Sequence, residues 1–356
     1  MEAELEILGR FSGRDAGRVA QAIGESATGD EGGEMTITAE QLAWENCTCD
    51  WCGSSETALI FEGPDWLERL PGQFRMVRCL QCGLCRQDPR LVWDSLVHYY
   101  PEEYASHPRL VRHEPTRWRR LDKRYGPWKR LRAVERFQQG GKLLEVGCGT
   151  GLFLEEALRS GRWDVVGIEP SEYAANYARE NLKVPIYQNL FGEVDLQEKS
   201  FDVIVMWNVV EHLAHPVEDL KYARRLLKDN GWLIFAVPNL ESLEARVSGK
   251  YWVGWDLPRH LYIFPRETLK DILGALGYRW AASRCLSTSY SVLGHTINFW
   301  SQSWEKKYPR LQKMLLRAYY SFITRALLIP PLSILDRLNL STIITVFAQK
   351  TPEQDK

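Results

Sequence analysis

The chain has 356 residues, 45% of them hydrophobic and 26% charged, which is enough for two domains around a sizeable core. Its 45 basic and 46 acidic residues leave a net charge of -1, so the overall balance gives no support to a nucleic-acid-binding class. The acidic start lacks the apolar stretch of a secretory signal, and no uncharged apolar run is long enough to span a bilayer. The expectation is a cytoplasmic protein whose eight Cys are thiols or metal ligands rather than disulfides.

In chain order, residues 1–46 are rich in Gly, Glu, Asp and Ala and read as a flexible segment. Cys49-x2-Cys52 and Cys79-x2-Cys82 follow, with Gly53 and Gly83 just after each second Cys. Two such knuckles can place four thiolates tetrahedrally around one zinc ion, as a closed and therefore structural site. Strand-like Ala58–Phe61 and Phe74–Val77 lie in the gap, so residues 47–87 are expected to form a small zinc-ribbon-like domain. Cys47 and Cys85 lie close by and leave the ligand set ambiguous. Residues 88–140 read as a helical connector, strongly basic from Arg109 to Arg136 with interleaved Trp118, Tyr125, Trp128 and Phe137. That pattern fits a solvated helix face or a surface for anionic substrate or lipid headgroups.

From Lys142 the period alternates between strand and helix. Expected strands are Leu143–Val146, Val165–Glu169, Val184–Tyr187, Val203–Trp207, Leu233–Val237, Trp280–Leu286 and Thr342–Gln349. Expected helices include Phe153–Ser160, Tyr173–Asn181, Val217–Leu227 and Glu267–Leu276, with Asn230-Gly231 serving as a C-cap. Residues 290–339 carry apolar residues at helical spacing together with Lys307, Arg310, Lys313, Arg317 and Arg325, and Pro330-Pro331 is expected to break the helix. This insertion is either a helical cap on the domain or a basic amphipathic element lying on a membrane.

The densest signal is Leu143-Leu144-Glu145-Val146-Gly147-Cys148-Gly149-Thr150-Gly151. A strand ending in an acid runs into alternating glycines and then a helix, so a ligand can lie against bare backbone N–H groups. A dinucleotide fingerprint would need its third glycine one position later, where Leu152 stands.

With Glu169 ending the next strand, this loop resembles that of the class I S-adenosylmethionine (SAM) dependent methyltransferases. Gly-Ile-Glu-Pro-Ser, Val-Val-Glu-His-Leu and Pro-Arg-His-Leu resemble bacterial enzymes that modify sugars, lipids or small metabolites, some of which carry an N-terminal zinc-binding unit. The resemblance covers residues 141–350 and implies an α/β, Rossmann-like, seven-stranded sheet with a small N-terminal zinc ribbon and a helical insertion before the last strand. It implies that Gly147, Cys148, Gly149 and Gly151 line the methionine end of SAM, with Cys148 as a small packing residue. Glu145 would take the ammonium, Glu169 both ribose hydroxyls, and Asn208 would lie near the sulfonium. Glu211 and His212 would face the same cleft, His212 as a general base, because unperturbed imidazole titrates near neutrality. Arg259 and His260 would sit in an aromatic lid, Arg259 gripping a phosphate or carboxylate of the substrate. For Glu211-His212 and for this lid, a purely structural role is the alternative.

The function implied is methyl transfer from SAM to a small-molecule, sugar or lipid-linked acceptor, with Cys49, Cys52, Cys79 and Cys82 on zinc. The rivals are a non-catalytic zinc-ribbon and methyltransferase-fold binding module, and a nucleic-acid methyltransferase. Intact glycines with Glu145 and Glu169 weigh against the first; neutral net charge and no Asn/Asp-Pro-Pro-Tyr/Phe-type motif weigh against the second.

Overall fold

In the computed structural model, residues 39–100, 110–286 and 289–352 are described; most of the N-terminal segment read as flexible lies outside them. β1 (Trp44–Glu45) pairs with β5 (Arg90–Leu91), and β2 (Thr57–Gly63), β3 (Phe74–Cys79) and β4 (Cys85–Gln87) form an antiparallel meander. α1 (Arg117–Val134) then leads into the main sheet.

That sheet contains β6 (Gly141–Val146), β7 (Trp163–Ile168), β8 (Ile186–Tyr187), β9 (Phe201–Trp207), β10 (Leu227–Pro238), β12 (Tyr278–Arg284) and β13 (Ile343–Lys350). Their order is β12-β13-β10-β9-β6-β7-β8, and β13 alone runs against its neighbours. The switch point lies between β6 and β9, which is where an open α/β sheet leaves a crevice for ligands. Helices α2 (Leu152–Arg159), α3 (Glu172–Leu182) and α4 (Pro216–Leu226) cross between the parallel strands. Alternation decides the layers: Leu143, Val203, Val205 and Ile234 pack on one face, Leu144, Ile204, Met206 and Phe235 on the other, all fully buried.

After β10 come α5 (Leu243–Ser248), β11 (Tyr262–Ile263) and α6 (Arg266–Ala275). β11 belongs to the N-terminal meander: Tyr262 pairs with Arg86 and Ile263 with Cys85. The cysteine region therefore shares a sheet, and through Phe74, Met76, Leu84 and Tyr262 a core, with the α/β domain. Between β12 and β13 lie α7 (Ser289–Glu305), α8 (Pro309–Tyr319) and α9 (Phe322–Arg337).

Two local expectations are corrected. Asn230-Gly231 does not cap α4; the helix stops at Leu226 and the chain enters β10 directly. Asn230 instead takes φ +62° inside a bulge, where the pairing jumps from Leu227↔Phe201 to Trp232↔Val203. Nor does Pro330-Pro331 end a helix, since α9 runs through both. The N–H groups they lack would have bonded the Ala326 and Leu327 carbonyls, on an exposed stretch where water can serve instead. The break falls at Ser321, whose Oγ accepts from Thr324 N at 3.2 Å as an N-cap.

Candidate active site

The glycine loop is built by its own neighbours. Gly147 and Cys148 N–H groups donate to Ile168 O at 2.8 and 3.0 Å, holding the end of β6 to β7. Gly147, Gly149 and Gly151 take φ of +67°, +51° and +85°, a region side chains disfavour. A Cβ on Gly147 would meet Val209 Cγ2 at 2.6 Å, and one on Gly151 would meet Leu182 Cδ1 at 2.4 Å. Glu169 closes the loop: Oε2 accepts from Gly149 N at 2.8 Å and Oε1 from Ser171 N at 2.9 Å. Burial pushes the Glu169 carboxyl up, and those two N–H groups work against that rise. Glu145 is buried one strand residue before the loop.

At the end of β9, Asn208 adopts φ +55° and donates N–H to Ala236 O at 3.1 Å. Its side-chain Oδ1 is buried with no hydrogen-bond partner, so an acceptor faces the crevice unused. Three residues on, both carboxylate oxygens of the fully buried Glu211 also lack partners. His212 Nδ1 lies 3.0 Å from Arg259 O and 3.0 Å from the Tyr100 hydroxyl, while His260 Nδ1 lies 2.8 Å from Gly254 O. A carbonyl can only accept, so these contacts assign a proton to Nδ1 in both rings, while His260 Nε2 lies 3.9 Å from Asp256 Oδ2. The two rings stand 4.7 Å apart between centroids, and one donor atom from each of Glu211, His212 and His260 falls within 4.8 Å of the others. Such a His2Glu set has the donors and spacing to hold a divalent cation.

Burial sets the protonation of this cluster. It raises Glu211 to about 8 and, with the nearby His260, lowers His212 to about 3. The expectation that His212 supplies a near-neutral base is thereby corrected: buried imidazole is a weak proton acceptor, and the group poised near neutrality is Glu211.

Arg259 also has a different task from the one expected. It is fully buried, with Nη2 2.7 Å from both Asp65 Oδ1 and Asp256 Oδ1 and Nη1 3.3 Å from Tyr99 O. Burial pushes Asp256 up, but Arg259 and His260 outweigh it and hold the carboxyl below its usual value. The guanidinium is spent inside the protein and positions the lid rather than gripping a substrate anion. Gln87 Nε2 adds bonds to Pro258 O and His260 O at 2.8 and 2.7 Å. Sequence reasoning assigned no role in the site to Asp65, Gln87, Tyr100 or Asp256. No local pattern marks Asp65, which lies 194 residues from Arg259.

The four knuckle cysteines converge. Cys49 Sγ is 3.4 Å from Cys82 Sγ, Cys52 Sγ is 3.5 Å from Cys79 Sγ, and all four lie within 4.8 Å of one another. Gly53 N donates to Cys49 O and Gly83 N to Cys79 O at 2.8 and 3.0 Å, the turns that aim each pair inward. Cys47 and Cys85 fall outside the set. Thr268 Oγ1 donates to Cys82 O at 2.8 Å, tying the second knuckle to α6.

Residues 117–282 match the family model of the methyltransferase domain. With the sheet order and the glycine loop, the matched stretch has the α/β, Rossmann-like fold of a methyltransferase domain. It is similar to ubiquinone biosynthesis O-methyltransferases of several bacteria. That of Histophilus somni is 36% identical over 108 residues, covering 28% of this chain and 45% of the relative. That of Cereibacter sphaeroides is 34% identical over 143 residues (38% and 57%), and that of Acinetobacter baylyi 29% over 147 (37% and 61%). The chain thus spans about half the length of these curated relatives. Among solved structures, a SAM-dependent methyltransferase of Thermotoga maritima is 27% identical, with a TM-score of 0.38 over 45% of this chain and 74% of that one. The cysteine knuckles and helices α7 to α9 lie outside the matched stretch.

Proposed function

We propose that the chain transfers the methyl group of SAM to the hydroxyl of a small-molecule acceptor and holds a structural zinc ion at its four knuckle cysteines. The observation that carries the reading is the bare glycine loop pinned by Glu169, with the unused Oδ1 of Asn208 at its side. These residues fit SAM chemically: an acid for the ammonium, backbone N–H groups for the carboxylate and spare carboxylate lone pairs for the ribose. SAM supplies an electrophilic methyl group. Glu145 would take the ammonium, Gly147, Cys148, Gly149 and Gly151 would flank the methionine end, Glu169 the ribose, and Asn208 would sit near the sulfonium. Holding the acceptor oxygen in line supplies most of the barrier reduction.

The proton lost by an acceptor hydroxyl would go to the Glu211–His212–His260 cluster, through the ionised form of Glu211, whose carboxyl burial raises to about 8. Oxygen as the methylated atom is supported by the names of the relatives and by this need for a proton acceptor. A divalent cation on the same three side chains would serve the alternative purpose of stabilising the oxyanion. A sugar- or lipid-linked hydroxyl meets the same chemical requirement. For the cysteines, tetrahedral bonds of roughly 2.3 Å demand S···S edges of about 3.8 Å, close to the spacing present.

Titration calorimetry with SAM tests the first half. Saturable heat, with Kd raised at least tenfold by Glu169→Ala, is expected; absence of heat in the folded chain favours a non-catalytic module instead. Incubation with labelled SAM and metabolite extracts then identifies the product. Elemental analysis tests the second half: about one zinc per chain is expected in both the unaltered protein and Cys47→Ser, and metal-free protein removes the zinc assignment.

A further inference from the structure

Two helices, remote in sequence, expose apolar stripes that no other part of the described structure covers. On α1, Trp118, Leu121, Tyr125 and Trp128 recur at spacings of three and four and are 43% to 82% exposed. On α9, Phe322, Ile323 and Leu327 are 70% to 85% exposed. The stripes are neighbours, because Arg325 Nη2 lies 3.9 Å from Asp122 Oδ1. A soluble chain rarely leaves so many large side chains facing water without a purpose.

Charge narrows the occupant. α1 holds eight Arg and Lys against one acid, Asp122, and residues 306–337 hold seven against one, Asp336, in a chain whose totals are 45 and 46. Some are internal: Arg124 pairs with Glu156, Lys123 with Glu114, and Arg130 stacks over Trp207. Arg117, Arg119 and Arg120 on α1, and Lys313, Arg317 and Arg325 beyond it, remain exposed. A second copy of the same surface would set cation against cation. A nucleic acid would satisfy the cations but leave aliphatic Ile323 and Leu327 in water. An anionic lipid interface satisfies both, with phosphates at the cations and apolar tips among the upper acyl chains.

We propose that α1 and α9, together with the preceding helix α8, dock this protein on the surface of an anionic membrane. The geometry is that of an in-plane element: no single described helix is long and apolar enough to cross a bilayer, and α8 and α9 qualify only as a pair bent by 64°. The docking stands on neither the SAM reading nor the zinc reading. An acceptor residing at the membrane would meet the protein there.

The test is co-sedimentation of the full chain with vesicles of phosphatidylcholine alone and of phosphatidylcholine mixed with phosphatidylglycerol. The protein should pellet with the anionic vesicles at low salt, less at physiological salt, and little with the neutral ones. Lys313→Glu together with Arg317→Glu should lower partitioning at least tenfold, since each cation near the surface accounts for roughly fivefold. Ile323→Asp with Leu327→Asp should also lower it at least tenfold, with an unchanged thermal midpoint showing that the chain still folds. Failure to pellet under any condition overturns the proposal. So does binding to single-stranded RNA or duplex DNA that outlasts Ile323→Asp/Leu327→Asp, which reassigns the surface to nucleic acid. So does a vesicle-independent dimer, seen by light scattering, that those substitutions dissolve.

Discussion

The two walls of the candidate cleft are held in opposite ways. The glycine-loop wall is nearly self-contained: one stretch from Glu145 to Ser171 supplies the turn, the acid and the N–H groups that lock them, with Val209 and Leu182 as the main outside supports. The lid wall is assembled from afar. His260 owes its place to Arg259, which is clamped by Asp65 and Asp256, and to Gln87, while His212 leans on Tyr100. The first wall follows from local backbone chemistry, so it can be recognised as a motif and tolerates change elsewhere. The second exists only while the cysteine module is docked, through β11 and the Arg259 ion pairs.

Four experiments break or sharpen this contrast. The largest effect belongs to the cysteines. Cys52→Ser with Cys79→Ser removes two of four thiolates from the proposed zinc site, and a structural zinc is worth about 10–16 kcal/mol in zinc-finger peptides. The meander should loosen, with protease cleavage appearing between residues 47 and 87 and altered near-UV signal from Trp252 and Trp255, while SAM binding changes by only a few-fold. Equal loss of SAM binding would mean that the two walls are not separable.

Next comes Arg259→Met, which strands Asp65 and Asp256 as uncompensated buried carboxylates at a cost of about 3–5 kcal/mol. Denaturant unfolding should report that loss, and Arg259→Lys should recover part of it. A neutral outcome would restore Arg259 to the substrate-binding role.

On the other wall, Glu169→Gln keeps the shape but exchanges an ionised acceptor for an amide. A charge-assisted hydrogen bond contributes about 1.5–3 kcal/mol, so SAM affinity should fall roughly tenfold to a hundredfold with the lid unaffected. Calorimetry on the folded variant reads this directly.

The smallest effect is the pH dependence of stability in the buried cluster. His212 binds its proton at about 3 when folded and near 6.5 when unfolded, so the unfolded chain is more protonated and stability falls as pH drops through that window. Glu211 has the opposite sign: raised to about 8 from 4.5, its contribution is full below 4.5 and is lost as pH rises towards 8. Between 4.5 and 6.5 the two slopes oppose each other, leaving a plateau with falling limbs on either side. Each limb has a limiting slope of about 1.4 kcal/mol per pH unit. Glu211→Gln should flatten the alkaline limb alone, read from urea midpoints across pH; an unaltered limb would place the proton elsewhere.

The sequence by itself determined the seven-stranded α/β sheet and the glycine loop. Both follow from interactions within a few residues: hydrophobic period, strand-end acids and positive-φ glycines. It also marked the paired cysteines, because knuckle geometry is local, but could not separate Cys49, Cys52, Cys79 and Cys82 from Cys47 and Cys85. Tertiary structure alone decided that β11 completes the meander, that Arg259 is a buried strut, and that His212 is depressed while Glu211 is raised. Those outcomes depend on burial and on partners up to 194 residues away, and neither quantity is encoded in the spacing of neighbouring residues.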